Sequence, residues 1–113
     1  MDISFADKKL QKVVYDYRRM VREFGKIRAE KFYERLTQLR GAVTLEDVRH
    51  EPGHFHELTG DRKGQWACDL DQPYRLIFEP QQDPIPTNEH GQYIWIEIIG
   101  VEIIEIVNYH KEK

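Results

Sequence analysis

The chain has 113 residues, a hydrophobic content of 40% and a formal net charge of −3, which together indicate one small soluble domain over residues 1–113. It contains no apolar run of roughly eighteen residues, so no segment is predicted to span a membrane, and we expect no secretory signal. Its single cysteine, Cys68, excludes an internal disulfide and favours a cytoplasmic location.

The pattern in residues 1–41 predicts an antiparallel helix hairpin. In residues 7–24 the apolar side chains recur at steps of three and four, with Asp7 as the N-cap and Gly25 as the C-cap. Residues 27–40 predict a second helix that Gly41 ends, and the short link at Gly25 turns one helix back on the other. The side chains expected to face inward are Leu10, Val13, Tyr17, Met20, Phe24, Ile27, Phe32, Leu36 and Leu39.

The charges are distributed unevenly between the two halves of the chain. Residues 1–40 carry 11 Lys or Arg against 6 Asp or Glu, whereas the remaining residues are net acidic. A basic N-terminal half is compatible with binding to nucleic acid or to an acidic partner. From charge alone, however, a solvated helix surface with salt-bridging side chains is the simpler interpretation.

The periodicity changes from 3.6 to 2 after residues 52–53, which predicts strands. A short helical turn is expected at residues 44–47 before that change, and a turn at residues 71–73 separates two strands with alternating apolar side chains. Residues 80–92 are rich in proline and predict a loop, and residues 93–107 predict one long strand or two, with a bulge or bend at Gly100. The two strands before the loop bury Trp66, Cys68 and Leu70, and Tyr74, Leu76 and Phe78.

Helices followed by strands are typical of the α+β class. We therefore predict that the helix hairpin packs on one face of a four- to five-stranded antiparallel sheet formed by residues 54–110. Trp95 joins Trp66 in the predicted core, and Cys68 is expected to be buried and unreactive.

Two side chains of the strand region suggest acid–base chemistry at a phosphate. His56 can exchange a proton near neutral pH, although a surface histidine is the more common finding. Arg75 alternates with inward-facing neighbours, so it points to the open face of the sheet, where it can hold a phosphate or form a salt bridge with Asp69 or Glu79. His54 and His56 alone are too few to indicate a metal site.

Further cations and a terminal histidine extend this hypothesis. Arg62 and Lys63 occupy a glycine turn and can bind backbone phosphates, or they can be a solvated hairpin tip. In the segment Asn108–Tyr109–His110, the tyrosine can stack on a base and His110 can complement His56, although such a segment by itself often frays. Two imidazoles with several cations suit cleavage of a phosphodiester without a metal or other cofactor.

The residues His56 to Trp66, Tyr74 to Phe78 and Ile106 to His110 resemble the RelE/ParE toxin superfamily, and within it the HigB-like group. The resemblance implies a helix hairpin on an antiparallel sheet and a toxin of a type II toxin–antitoxin pair. It also implies a ribosome-dependent endonuclease that cuts messenger RNA by 2′-hydroxyl attack. His56 would then be an acid–base group, Arg75 a phosphate stabiliser, and Tyr109 and His110 the C-terminal part of the site. The implied partner is a cognate antitoxin with a helix-turn-helix domain.

The chain departs from the group's pattern in three respects. Thr59 stands where the group often has lysine, Asn108 stands where it usually has aspartate, and the net charge is acidic rather than basic. Loss of one phosphate-binding cation costs about a hundredfold in rate if that cation serves the transition state. Two alternatives therefore stay open: a family member with little or no nuclease activity that binds its antitoxin or another protein, and a gyrase-inhibiting toxin.

Overall fold

A computed structural model describes residues 1–112 of the chain, with side chains through residue 110. The described helices are α1 (Lys8–Val14), α2 (Tyr17–Phe24), α3 (Lys26–Gly41), α4 (Leu45–Val48) and α5 (Tyr109–Glu112). The described strands are β1 (Asp2–Phe5), β2 (His56–Glu57), β3 (Trp66–Asp69), β4 (Tyr74–Pro80) and β5 (Gly100–Asn108). Short 3-10 turns cover Gly60–Arg62 and Trp95–Glu97. None of the helices within residues 1–112 has the length and apolar character to cross a membrane.

The strands form one five-stranded sheet in the order β1-β5-β4-β3-β2. The predicted α+β class is confirmed, but the sheet is mixed, because β1 runs parallel to β5 while the other neighbours are antiparallel. The sequence prediction missed β1, which lies outside residues 54–110. Asp2–Phe5 alternates polar and apolar side chains, but the strand depends on its pairing with β5, a long-range contact that local periodicity does not reveal.

The segment predicted as a single helix over residues 7–24 is two helices with a break at residues 15–16. Asp7 caps α1 as expected, since its carboxylate accepts from the backbone N–H groups of Lys9 at 2.8 Å and Leu10 at 3.3 Å. Asp16 is a second cap, because it accepts from the N–H of Arg19 at 3.2 Å and starts α2. A short side chain that bonds nearby backbone N–H groups competes with helix continuation, which explains the break.

The helix hairpin itself is confirmed. Gly25, with φ of +88°, joins α2 to α3 in a conformation that glycine adopts without a steric cost. Tyr17 stacks on Tyr33 at 5.9 Å between ring centroids, and these residues are equally distant from Gly25 along the chain, so the helices are antiparallel. The Tyr17 and Ile27 side chains were expected inside but are 52% and 67% exposed. Each lies in the first turn of its helix.

The two faces of the sheet are covered differently. The helices bury one face together with Trp66, Leu76 and Phe78, and Trp95 and Cys68 belong to the same core, as predicted. Burial raises the pKa of the Cys68 thiol, so this side chain is held as an unreactive thiol. On the other face, Ala67, Ile77 and Val107 form a small, separate apolar cluster.

The segment over residues 93–107 differs from the predicted long strand. The 3-10 turn Trp95–Glu97 comes first, and β5 begins at Gly100 rather than bending there. A side chain at Gly100 would collide with Gln81, whose amide donates to Asp2 Oδ2 and Ser4 Oγ at 3.1 Å each. Gly100 therefore provides the space for a side chain that links three strands. The register shift in β5 lies opposite Ile77 and Phe78.

Candidate active site

A cleft of about 460 Å³ opens on the face of the sheet opposite the helix hairpin. The end of β2, the glycine turn, β4 and the start of α5 contribute its walls. Four of the side chains proposed from sequence meet here although they come from separate segments of the chain. The residues that line the cleft are His56, Glu57, Leu58, Thr59, Asp61, Arg62, Arg75, Ile77 and Tyr109.

His56 is held in the cleft in one tautomer. Its Nδ1 lies 2.7 Å from the backbone carbonyl oxygen of His54, and because a carbonyl oxygen can only accept, Nδ1 carries the hydrogen. Burial lowers the pKa of His56, and the charges of His54 and Arg75 lower it further, against the opposing effects of that hydrogen bond and of Asp69. At neutral pH the imidazole is therefore neutral, with its lone pair on Nε2, which is the state that a general base requires.

Arg75 extends from β4 onto the open face, as the alternation of its neighbours predicted. Its guanidinium carbon lies 3.6 Å from the centroid of the Tyr109 ring, which fixes the plane of the charged group. The Asp69 carboxylate lies beside it, with 3.8 Å between Oδ1 and Nε. That distance is longer than a hydrogen bond, so Asp69 compensates the charge without engaging this nitrogen. A planar guanidinium held in this way suits a phosphate, which it can bind through two parallel hydrogen bonds.

The two cations of the glycine turn point in different directions. Arg62 lies in the cleft, where its terminal nitrogens are 2.9 Å from Gln65 Oε1 and 3.1 Å from Glu105 Oε2. Lys63 instead lines a neighbouring cleft of about 560 Å³, with its Nζ 5.7 Å from the centroid of the Tyr93 ring. Only Arg62 of this pair is thus near His56 and Arg75, and the RNA-binding roles of both cations stay predictions.

The C-terminal segment contributes Tyr109 to the cleft. The backbone N–H of Tyr109 donates to the carbonyl of Pro73 at 2.8 Å, and Asn108 Oδ1 accepts from the N–H of His110 at 3.1 Å. Asn108 therefore serves to start α5 at this point. His110, the last residue whose side chain is described, is exposed and lies outside the cleft lining, with its ring 6.0 Å from that of Tyr109. The acid–base role of His110 and the RNA-binding role of Asn108 stay predictions.

A family model described as "RelE-like toxin of type II toxin-antitoxin system HigB" matches residues 3–89, more than half of the chain. The chain belongs to the HigB-like toxin family. Its members are toxins that are paired with an antitoxin. The part of this HigB-like toxin that matches includes His56, the glycine turn and Arg75, whereas β5, Tyr109 and His110 follow it. No curated protein matches the chain.

Two residues of the HigB-like toxin that the sequence analysis did not assign to the site lie beside it. The ring of His54 stacks on that of His56, with 4.0 Å between centroids and 18° between planes. Asp69 lies between His54 and Arg75 and pairs in register with Arg75. The two-residue spacing of His54 and His56 was the one sequence signal for a role of His54. By itself this spacing indicates no more than an incomplete pair of metal ligands. Within the described residues, no three His, Cys, Asp or Glu side chains gather as metal ligands.

Proposed function

We propose that this HigB-like toxin is a ribosome-dependent endoribonuclease that cuts messenger RNA by attack of a ribose 2′-hydroxyl on the adjacent phosphate. The observation that carries the proposal is the cleft in which a neutral His56, with its lone pair on Nε2, shares a lining with Arg75 and Tyr109. A base and a cation that line one cleft are the minimum that this reaction requires.

In the proposed reaction, His56 Nε2 takes the proton of the 2′-hydroxyl as its oxygen forms a bond to phosphorus. The bond from phosphorus to the 5′-oxygen breaks, which leaves a 2′,3′-cyclic phosphate on one fragment and a 5′-hydroxyl on the other. We assign His110 as the donor of the proton that the leaving oxygen receives. Arg75 donates N–H groups to the non-bridging phosphate oxygens, and removing such a donor typically costs about 10²–10³ in rate.

The remaining assignments concern how the RNA is held. Tyr109 presents one ring face to Arg75, and its ring can also stack on a splayed base, a contact that tolerates any base sequence. Arg62, Lys63 and Asn108 are proposed to bind the RNA backbone, and the excess of Lys and Arg in residues 1–40 is proposed to support docking to the ribosome. The proposed partner is a cognate antitoxin with a helix-turn-helix domain.

A second candidate function is an antitoxin-binding protein with weak nuclease activity. Thr59 lines the cleft where the family often has a lysine, and Arg62 already contacts the carboxylate of Glu105. Both features reduce the positive charge that a phosphate would encounter. The two candidates differ in one measurable respect: the second forms a tight antitoxin complex but cleaves a message weakly or not at all.

The experiment that separates them is primer extension on a message that is being translated by purified ribosomes. The wild-type toxin should produce a new 5′ end within the A-site codon, and His56→Ala and His110→Ala should produce little or none. His90→Ala is the matched control, because His90 is an exposed histidine of the loop over residues 80–92 to which no role in the reaction is assigned. Intact message with the wild-type toxin, or full activity in both site variants, would reject the proposed chemistry.

A further inference from the structure

His54 occupies a strained and anchored position beside the proposed base. Its φ is 56°, and among residues 1–112 it is the one non-glycine residue that the structure places at positive φ. An L-residue is sterically strained in this conformation, so the surrounding contacts must hold it there. Strained backbone conformations of this kind are concentrated at functional sites, where they hold a particular group in a fixed orientation.

The contacts that hold His54 form a chain that leads back to the helices. The backbone N–H of Asp69 donates to the carbonyl of Gly53 at 2.8 Å, which fastens the loop to the end of β3. The buried Arg35 of α3 donates from Nε to the carbonyl of Asp69 at 2.7 Å. A side chain at Gly53 would meet the Arg35 guanidinium at 2.6 Å, so the loop lies directly against it. The position of His54 is therefore determined by the core and not only by its own loop.

His54 contacts His56 through both its backbone and its side chain. Its carbonyl accepts the Nδ1–H of His56, and its imidazole stacks on the His56 ring at 4.0 Å. Its own Nδ1 lies 3.6 Å from Asp69 Oδ2, so a protonated His54 is paired with a carboxylate. A charge on one stacked imidazole disfavours a charge on the other.

We propose that the His54 side chain is a positioning residue that keeps His56 neutral and oriented, with Nε2 available to RNA. The proposal rests on the proposed function, since it concerns the base of that reaction. Asp69 holds the His54 ring, and the stack of the two rings fixes the plane of His56. The charged or titratable groups that line the cleft with His56 or act on its pKa are His54, Glu57, Asp61, Arg62, Asp69, Arg75 and Tyr109. Of these, Glu57 is turned towards Arg49 and Trp95, which its carboxylate binds.

The backbone and the side chain of His54 act on His56 in opposite directions. The hydrogen bond to the His54 carbonyl raises the pKa of His56, whereas the charge of the His54 ring lowers it. A substitution that removes the ring and retains the carbonyl should therefore raise the pKa of His56 and leave its tautomer unchanged. His54→Asn meets this condition, because asparagine tolerates positive φ better than most residues.

The test is an NMR titration of the histidine rings in the full chain, with His56 assigned from the signals that a His56→Gln variant lacks. In the wild-type protein, the ¹⁵N shifts of His56 should report hydrogen on Nδ1 and its pKa should lie below 6.5. In His54→Asn the pKa of His56 should rise towards 6.5 while the ¹⁵N pattern at high pH stays the same. His90→Asn, the same chemical change at an exposed site, should alter neither quantity.

A second variant, His54→Gly, protects the test against a folding defect, because glycine adopts positive φ freely and also lacks the ring. An unchanged pKa of His56 in both folded variants would overturn the positioning role. The titration requires no RNA, so it tests the positioning role of His54 even if the wild-type protein cleaves no message. Where cleavage is observed, the His54→Asn rate should fall at pH 8, because the stack that orients His56 is lost, and should fall further at pH 6, because more of His56 is protonated. A merely structural role would lower the rate equally at both pH values.

Discussion

The guanidinium of Arg75 and the ring of Tyr109 lie face to face, 3.6 Å apart, although β5 and the loop before it separate them in sequence. The contact unites the part of the chain that matches the family with the segment that follows it. A cation held against an aromatic face keeps its charge while its orientation is restricted. Tyr109 is therefore expected to act on the phosphate through Arg75 as well as on the RNA directly.

The first prediction concerns the ring of Tyr109. Tyr109→Phe retains the stacked ring and should retain most of the cleavage rate, whereas Tyr109→Leu should lower it by about tenfold or more, because Arg75 loses its orientation. The measurement is the single-turnover cleavage rate on ribosome-bound message. Equal rates for the two variants would contradict the role of the ring face, and equally reduced rates would show that the reaction uses the phenol oxygen instead.

The second prediction concerns Arg75 itself. Arg75→Lys keeps the positive charge but loses the planar fork, so cleavage should fall by about 10²–10³. Arg22→Lys, a matched exchange on an exposed residue of α2, should leave the rate unchanged. If Arg75→Lys retained the full rate, a point charge would suffice and two-bond phosphate binding by the guanidinium would be ruled out.

The third prediction is a pH dependence that follows from His56. Burial lowers the pKa of this imidazole, so its neutral form persists below pH 6.5 and kcat/KM should begin to fall only at a lower pH. The stability of the folded protein depends on pH in the same direction as kcat/KM. The unfolded chain binds a proton near pH 6.5 whereas the folded chain resists it, so the contribution is fully present above that pH and is lost as pH falls through the folded pKa.

His56→Gln provides the comparison for both quantities. This variant should lack the cleavage activity and should also lack the loss of stability that His56 causes as pH falls below 6.5. Urea unfolding at several pH values measures the second effect independently of RNA. A wild-type acidic limb centred above pH 6.5 would contradict the assignment of a depressed His56 pKa.

Capping residues and the periodicity of apolar side chains were sufficient to predict the elements in which these local patterns are strong. Asp7, Gly25 and the alternating side chains of β3 and β4 predicted a helix start, a hairpin and two strands with the correct face for Arg75. They failed at Asp16, since an aspartate within an otherwise amphipathic repeat is a cap only if its carboxylate reaches a backbone N–H. They also failed at β1, whose existence depends on pairing with β5.

The candidate site could be predicted only in part, because some of its residues also depend on contacts that the local sequence does not show. His56 and Arg75 could be placed on one face from strand alternation, but the position of His110 depends on where α5 starts, which Asn108 and the Pro73 carbonyl determine. His54 was not recognised because its role depends on a positive φ and on the buried Arg35, and neither is visible in a two-residue spacing.

The fourth prediction tests the loop that supports the site. Gly53 has φ of 113°, and a Cβ there would lie 2.6 Å from Arg35, so Gly53→Ala combines backbone strain with a collision in the core. Gly91→Ala is the matched control, because Gly91 also has positive φ, at 76°, with no atom within 4 Å of the added carbon. Gly91→Ala should cost about 1 kcal/mol of unfolding free energy and Gly53→Ala about 3 kcal/mol. Equal losses, measured by urea unfolding, would show that Arg35 moves away freely.

The fifth prediction concerns the contact between α3 and the turn at residues 71–73, whose Pro73 carbonyl accepts the backbone N–H of Tyr109. Arg28 donates to both carboxylate oxygens of Asp71, at 2.9 and 3.2 Å, and its guanidinium lies 3.4 Å from the Tyr74 ring centroid. Both side chains are less than a third exposed, so the pair is screened less than a surface pair. A double-mutant cycle of Arg28→Ala and Asp71→Ala should give a coupling free energy of about 1 kcal/mol.

The exposed pair Lys26–Glu30, at 4.0 Å, is the reference cycle and should give less than about 0.5 kcal/mol. Because the turn at residues 71–73 presents the Pro73 carbonyl that binds the N–H of Tyr109, Arg28→Ala should also lower cleavage more than its loss of stability explains. Comparing rates at a temperature where every variant is folded separates the two effects. A normal rate in folded Arg28→Ala would show that α5 keeps its position without this contact.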